Sequence, residues 1–341
     1  MKLLVSALEA SANSHLEPLL RMGEYEIEGI FDKKFGSPLY PSSDFSVMGF
    51  LDVLPKIMMA KRAINQMVQL SEKVDRVLLI DSPAFNLPLA KAIKKRFPKK
   101  EIIYYILPQV WAWKEKRVAK VERYCDKLAS IMPFETRYYN RAVYVGNPLL
   151  DEIEVVKKEP SSAKKVAFLP GSRRSEIKSL MRVFKETAKE IDAKKVLVIP
   201  KSFDDKTIEE FYGDIEDFEI SRDTHKTLCQ SDFAFVCSGT ATLEAALIGV
   251  PFVLVYKAKA LDYWIAKRFV KLKYAGLANI ILDFYNKEPL HKEFFQEDVN
   301  KNNLLKEYHK NDPKIFLQKA KQLRDILKYP SAKNLDRLIK K

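Results

Sequence analysis

The strongest constraint on this chain is a rhythm that runs through it twice. Short apolar or β-branched runs alternate with longer basic stretches whose apolar positions recur at helical period. In the first half the runs are 3–8, 77–80, 101–107, 127–131 and 142–145, with helices predicted over 54–73 and 87–96. A second series, 165–169, 195–199, 218–220, 233–237 and 251–256, carries helices starting at Ser175 and Thr242. Such alternation predicts parallel sheets covered by helices, and two series predict two doubly wound α/β domains. At 341 residues there is length for a core in each. The expected division is 1–152 and 164–313, because 154–162 (Glu-Val-Val-Lys-Lys-Glu-Pro-Ser-Ser) has linker composition. A helical tail follows from 314 to 341.

Composition narrows the function. Hydrophobic residues at 47% with only 10 Gly and 17 Pro exclude a disordered or collagen-like chain. Lys and Arg number 59 against 45 Asp and Glu, a formal charge of +14. That excess points to an anionic partner: nucleic acid, a phosphorylated small molecule or an acidic membrane. No aromatic-interleaved basic strand or helix-turn-helix signature supports nucleic acid. Cys125, Cys229 and Cys237 form neither a disulfide framework nor a CxxC site, which fits a reducing cytosol. His15, His225, His291 and His309 lack ligand spacing, which argues against zinc. The apolar N-terminus is short and broken by Glu9, unlike a secretory signal, and no run approaches the roughly 18 apolar residues of a membrane span. The expectation is a soluble or peripheral protein.

Open parallel sheets bind ligands beyond the carboxyl ends of their strands, so the strand-to-helix loops carry the functional information. In Leu169-Pro170-Gly171-Ser172-Arg173-Arg174-Ser175, Gly171 admits close backbone approach, Ser172 offers a hydroxyl and Arg173 a fork of donors matched to phosphate. Ser175 is placed to cap the next helix. In Cys237-Ser238-Gly239-Thr240-Ala241-Thr242-Leu243-Glu244, small residues lead into a helix N-terminus suited to a diphosphate, and Glu244 is placed for ribose hydroxyls. A plain βα turn and a plain helix cap are the alternatives; together the two loops favour a nucleotide diphosphate. Asp81, in Ile80-Asp81-Ser82-Pro83, sits at a strand's carboxyl end as a general base would, or caps the next helix. Trp111 and Trp113 offer stacking surfaces for a sugar or acyl chains, against interior packing as the alternative. His15 lies near the first loop, as an acceptor-phosphate contact or as a surface group.

These motifs stand in an order that resembles a known family. Glu9-Ala10-Ser11, Met48-Gly49-Phe50, Ile80-Asp81-Ser82-Pro83 with Phe85-Asn86, Val110-Trp111-Ala112-Trp113, Pro133-Phe134-Glu135, Val145-Gly146, Leu169-Pro170-Gly171-Ser172-Arg173, Ser238-Gly239-Thr240-Ala241-Thr242-Leu243-Glu244, Tyr263-Trp264-Ile265-Ala266-Lys267-Arg268 and Asn279 span most of the chain. It resembles the lipid-A-disaccharide synthase family, inverting glycosyltransferases of lipid A assembly in Gram-negative bacteria. The resemblance implies a GT-B fold, two Rossmann-like domains facing across a cleft, with the last helix crossing back to the first. It also implies transfer from UDP-2,3-diacylglucosamine to 2,3-diacylglucosamine 1-phosphate, giving a β-1,6-linked disaccharide phosphate and UDP, with no cofactor. Asp81 is then the expected base and Glu9 the runner-up. Ser172, Arg173, Gly239, Thr240 and Ala241 would meet the departing diphosphate, Glu244 the ribose, and Asn279 the diphosphate region. No Asp-x-Asp motif calls for a metal, and Asp204-Asp205 is expected in a surface loop.

Three departures bear on this. The family's first loop, Gly-Glu-Ala/Thr-Ser-Gly-Asp, is here Leu8-Glu9-Ala10-Ser11-Ala12-Asn13, and Asn147 stands where the family has histidine. Ala278 replaces a proline before Asn279. Neither a catalytic acid at Asn13 nor a histidine at Asn147 is therefore expected.

Acylated substrates come from a bilayer, and 54–70 suits that surface. Ile57, Met58, Ile64, Met67 and Val68 lie at helical spacing among Lys56, Lys61 and Arg62, as either an interfacial helix or an ordinary packed one. Further basic clusters stand at 114–117 and 267–273. Ser11, Ile57, Met58, Lys61, Arg62, Trp111 and Trp113 are the expected acceptor and membrane contacts, on the cytoplasmic face of the inner membrane, with homo-oligomerisation left open. The rival readings are another GT-B enzyme using a UDP-N-acetylglucosamine-type donor, whether a lipid-linked transferase or a 2-epimerase, and a nucleic-acid-binding protein.

Overall fold

The computed structural model of the chain describes residues 1–46, 53–257 and 272–341, apart from the side chains of 46 and 53–56. The motifs at 48–50 and 263–268, and the basic cluster up to 271, lie outside the described residues. Two compact units emerge, Met1–Glu152 with Leu327–Lys341, and Ile153–Ile326.

The first unit is built on strands β1 (Lys2–Ser6), β2 (Glu26–Phe31), β3 (Tyr40–Pro41), β4 (Arg76–Ile80), β5 (Ile102–Tyr105), β6 (Lys127–Ser130) and β7 (Ala142–Tyr144). They form a seven-stranded parallel sheet in the order β3-β2-β1-β4-β5-β6-β7. Its central strands β1, β4 and β5 are apolar at consecutive positions because both faces are covered. Leu3, Val5, Leu78, Ile80, Ile103 and Tyr105 face one core with Leu16 and Leu19 of helix Ala10–Met22. Leu4, Val77, Leu79, Ile102 and Tyr104 face the other, with Met67 of helix Val53–Leu70 and Leu89 and Ile93 of helix Pro83–Arg96.

The second unit has β8 (Lys165–Leu169), β9 (Lys194–Val198), β10 (Glu219–Ser221), β11 (Phe233–Cys237), β12 (Phe252–Tyr256) and β13 (Lys292–Phe295). Their order is β10-β9-β8-β11-β12-β13, again parallel. Phe168 stacks on Phe235 at 5.1 Å between ring centroids and meets Phe184 and Phe218 edge-on, fastening helix Arg174–Ala188 to the sheet.

The division of the tail differs from the expected one at 314. Helix Pro313–Leu327 stays with the second unit up to Ile326 because Phe316 meets Phe252 edge-on and Lys319 donates to the Pro289 carbonyl. The return to the first unit comes at Leu327. Helix Ala332–Lys340 then buries Leu335 and Ile339 completely, each contributing roughly 1.5–3 kcal/mol. Asp151 caps that helix, accepting from Ser331 N–H (2.7 Å), Ser331 Oγ–H (2.9 Å) and Ala332 N–H (3.1 Å).

Candidate active site

In each sheet the chain reverses direction beside its first strand, between β1 and β4 in the first unit and between β8 and β11 in the second. Loops leaving the carboxyl ends of such neighbours splay apart and leave a crevice, the usual ligand position in this architecture. Glu9, Asp81, Ser172, Arg173 and Gly239 fall on these loops.

In the first unit Glu9 follows β1 and Asp81 follows β4. Asp81 and Ser82 both adopt left-handed backbone, at φ 50° and 43°, a conformation costly for side-chain-bearing residues. The turn is held from several sides. The Asp81 carbonyl accepts from Tyr104 Oη–H and from Asn86 Nδ2–H, both at 2.7 Å, and its own N–H donates to the Tyr105 carbonyl at 3.0 Å. Asn86 is buried, and its oxygen accepts from Ser6 Oγ–H at 2.6 Å. Asp81 therefore does not cap the following helix, which begins at Pro83. Burial pushes its carboxyl above the usual range and the Glu9 carboxylate adds to the rise, while the Ser82 N–H bonded to it and, less, His15 act in the opposite sense. Glu9 is exposed, the residue before helix Ala10–Met22, and its Oε1 accepts from Ser82 Oγ–H at 3.3 Å. Ser11 is exposed on the first turn of that helix. His15 is engaged by Glu152, Nδ1 to Oε1 at 2.5 Å.

The two tryptophans separate. Trp111 is 8% exposed, its N–H donates to buried Glu135 at 3.1 Å and its ring meets Phe134 edge-on, so it is an interior group and not a stacking surface. Trp113 is 45% exposed, with Lys114 Nζ 4.0 Å and the Arg117 guanidinium 5.3 Å from its ring. Helix Val53–Leu70 resolves the mixed spacing of 54–70. Ala63, Met67 and Val68 turn into the core, with Ile64 packed against it, while Ile57, Met58, Lys61 and Arg62 face outward. Met67 is thus removed from any interfacial face.

In the second unit the Arg173 loop leaves β8 and the Gly239 loop leaves β11, neighbouring strands paired from Phe233 with Val166 to Val236 with Leu169. Gly171 has φ +98°, and a Cβ there would stand 2.7 Å from Glu176 Oε2 and 3.2 Å from Cys237 Sγ, so only glycine fits. The helix begins at Arg174, one residue earlier than expected, and Ser175 does not cap it; Glu176 reaches back to Arg173 N–H at 3.4 Å. Glu176 Oε1 also accepts from Arg173 Nη1–H at 2.8 Å, while the Arg173 side chain stays 78% exposed. Ser172 is exposed beside it. Helix Thr240–Ile248 starts on Gly239, at φ 151°, with open space where a Cβ would stand. Its first N–H groups, those of Thr240 and Ala241, point out of the helix start as donors for an anion. Glu244 lies one turn in, its Oε2 3.4 Å from His225 Nε2.

Asn279 departs from expectation. It is fully buried, donates to the His291 carbonyl (2.9 Å) and Glu293 Oε1 (2.8 Å), and accepts from Leu290 N–H (2.8 Å). Its amide fastens helix Leu277–Phe284 to β13 and has no donor left for a diphosphate. Asp204 is likewise structural, capping helix Asp205–Tyr212 through Thr207 N–H at 2.9 Å. Among the described residues no three His, Cys, Asp or Glu side chains converge as a metal site would require. Sequence reading missed the supporting groups Asn86, Tyr104, Glu176 and His225. Only Glu176 carried a local signal, a carboxylate three residues after the residue it caps.

A family model described as lipid-A-disaccharide synthetase matches residues 3–334. The lipid-A-disaccharide synthase of Campylobacter jejuni is 51% identical, covering 98% of this chain and 98% of its own, and that of Helicobacter pylori is 47% identical, covering 98% and 96%. Among solved structures, Acinetobacter baumannii MurG aligns with a TM-score of 0.57 at 15% identity, over 99% of this chain and 98% of its own. A Neisseria meningitidis UDP-GlcNAc 2-epimerase bound to UDP-GlcNAc aligns at 0.55 and 13%, over the whole of both chains. Identities that low carry the fold alone, the GT-B arrangement of two Rossmann-like domains.

Proposed function

The chain belongs to the lipid-A-disaccharide synthase family, a glycosyltransferase with a UDP-sugar donor and a lipid acceptor, and we propose the following assignment of its residues. The donor is UDP-2,3-diacylglucosamine and the acceptor 2,3-diacylglucosamine 1-phosphate. Inversion requires one in-line displacement, in which the acceptor 6-oxygen bonds to C1 as the bond from C1 to the diphosphate oxygen breaks. The acceptor proton passes to a carboxylate and the negative charge leaves on UDP.

Asp81 takes that proton. The observation that carries this is its strained, over-determined turn at the β1/β4 reversal, where burial raises its carboxyl toward the working pH of a general base. Glu9, exposed and within reach of Ser82, orients the acceptor, with Ser11 beside it. In the second unit the Arg173 guanidinium, Ser172 and the N–H groups of Thr240 and Ala241 bind the diphosphate and stabilise it as it departs. Glu244 holds the ribose.

The outward face of Ile57, Met58, Lys61 and Arg62, 48% and 66% exposed at its two apolar residues, meets the membrane, together with Trp113 and its basic neighbours. No helix among the described residues is long and apolar enough to cross a membrane. The protein then works as a peripheral enzyme on the cytoplasmic face of the inner membrane.

Product analysis tests the substrate assignment. Acylated donor and acceptor should yield disaccharide phosphate and UDP, and UDP-N-acetylglucosamine alone should remain unchanged; epimerisation of the latter without transfer would overturn it.

A further inference from the structure

The loop that leaves β5 is held more firmly than contact with a bilayer requires. Ile106 and Lys114 bracket it, both in left-handed backbone, at φ 62° and 54°. That conformation is costly for any residue with a side chain and most of all for a β-branched one, and it persists only where the surroundings over-determine it. Here they do. Tyr139 donates its hydroxyl to the Pro108 carbonyl at 2.8 Å, the Trp111 N–H donates to buried Glu135 at 3.1 Å, and Phe134 meets the Trp111 ring edge-on. The N–H groups of Val110, Ala112 and Trp113 close turns onto the carbonyls of Pro108 and Gln109. The motifs Val110-Trp111-Ala112-Trp113 and Pro133-Phe134-Glu135 thus build and clamp one loop.

That loop presents an exposed indole beside two cations. Lys114 Nζ stands 4.0 Å and the Arg117 guanidinium 5.3 Å from the Trp113 ring. Neither cation forms an ion pair among the described residues, and Glu115 between them is exposed and pairs with neither. Lys34, on the loop after β2, is by contrast taken up by Glu17 at 2.6 Å. A ring face holds a cation in place without neutralising it. A sugar phosphate suits such a surface: the guanidinium offers parallel N–H donors to the phosphate, the ammonium a point charge, and the indole a flat face for the sugar ring. The loop also starts from the turn of Asp81, which is bonded to the last two residues of β5. Asp81 N–H donates to the Tyr105 carbonyl at 3.0 Å, and the Tyr104 hydroxyl donates to the Asp81 carbonyl at 2.7 Å.

We propose that Trp113, Lys114 and Arg117 form the binding site for the phosphate of the acceptor and so hold the glycolipid whose hydroxyl gives its proton to Asp81. This rests on the reading of the acceptor as a sugar phosphate, and it assigns the charge of this loop to the substrate and not to the headgroups of the surrounding bilayer.

Kinetics in micelles of a neutral detergent, which take the charge of the bilayer out of the comparison, test the site with two acceptors. One is 2,3-diacylglucosamine 1-phosphate and the other is the same lipid without its phosphate, followed as substrate or as competitive inhibitor. Lys114→Gln and Arg117→Gln should each raise the KM for the phosphorylated acceptor about ten-fold with donor KM retained, and leave the affinity for the phosphate-free lipid within about two-fold of wild type. Should one variant fail to fold, the other carries the same reading. An equal loss for the two acceptors would mean a displaced loop and would overturn the site. An unmoved KM for both would overturn it as well, and loss of the variants from anionic vesicles would then give these charges to the bilayer. Either result leaves the substrate assignment standing. Absence of disaccharide from the wild type with the phosphorylated acceptor would instead overturn that assignment, and the site with it.

Discussion

Asn13 donates from its amide nitrogen to the carbonyls of Ala7 (3.0 Å) and Glu9 (2.8 Å), and its oxygen accepts from Asp32 N–H at 2.7 Å. A carboxylate cannot supply those two donors, so the replacement of the family's acid by asparagine has a physical use here: it stitches the loop that carries Glu9. Restoring the acid as Asn13→Asp should cost about 1–3 kcal/mol at pH 7, read as a lower urea midpoint. An unchanged midpoint would remove the stitching role. Ala12, another departure in that loop, is 1% exposed and packs in the core. Asn147 is similarly absorbed, its side chain accepting from Leu149 N–H (3.1 Å) and donating to the Ile131 carbonyl (3.2 Å). Glu135 makes a further prediction. Burial lifts its carboxyl to about 7, although Ser130, Trp111 and Met132 donate to it. Between an unfolded value of about 4.5 and a folded one near 7 the native state holds more protons, so stability attributable to Glu135 falls as pH rises through that window. The fall, up to about 3 kcal/mol, should disappear in Glu135→Gln whatever that variant's overall stability. Parallel stability curves for the two proteins would contradict it.

At the scale of elements, the two glycine loops of the second unit make different demands. At Gly171 a Cβ would press on Glu176 and Cys237, displacing the carboxylate that holds Arg173, whereas at Gly239 it would enter open space. Gly171→Ala should weaken UDP binding at least about ten-fold by calorimetry, roughly 1.4 kcal/mol, and Gly239→Ala should weaken it less. The reverse order would show that the Arg173 loop is not a diphosphate contact. The central strands β1, β4, β5, β8, β11 and β12 are legible because a doubly covered parallel strand leaves a continuous apolar run, whereas the edge strands β7 and β10 carry Val143 and Ile220 half exposed. β2 and β13 escaped because Glu26, Glu28, Lys292 and Glu293 interrupt them, and Gly29 in β2 is left-handed at φ +118°. Helix starts were placed late, at 87 for Pro83, 175 for Arg174 and 242 for Thr240, because the first turns are polar or small and carry no apolar period. The helix Val53–Leu70 was legible as amphipathic, but which apolar residues faced the core depended on packing the sequence does not record.

Over the whole molecule, the four loops that sequence reading singled out lie at three of the strands flanking the two reversals and on β5. That part was legible because turn glycines, a Pro-flanked acid and a cap-like carboxylate mark βα corners locally. The second tier was not, since Asn86, His225 and Glu152 act through partners up to 137 residues away, as His15 is from Glu152. On the proposed assignment the charge of +14 divides, with Arg173 for the diphosphate and the face of Lys61 and Arg62 for an acidic surface. Replacing Ile57 and Met58 by serine should release the protein from anionic vesicles without changing its melting temperature, and retained sedimentation would refute the interfacial face. The central claim is that Asp81 takes the acceptor's proton while Arg173 binds the donor's diphosphate. Its most direct test is turnover of acylated donor and acceptor by the wild type, Asp81→Asn and Arg173→Ala. The account predicts a loss of about 10²–10⁴ in kcat for Asp81→Asn with donor KM retained, and a raised donor KM for Arg173→Ala; undiminished kcat in Asp81→Asn would contradict it.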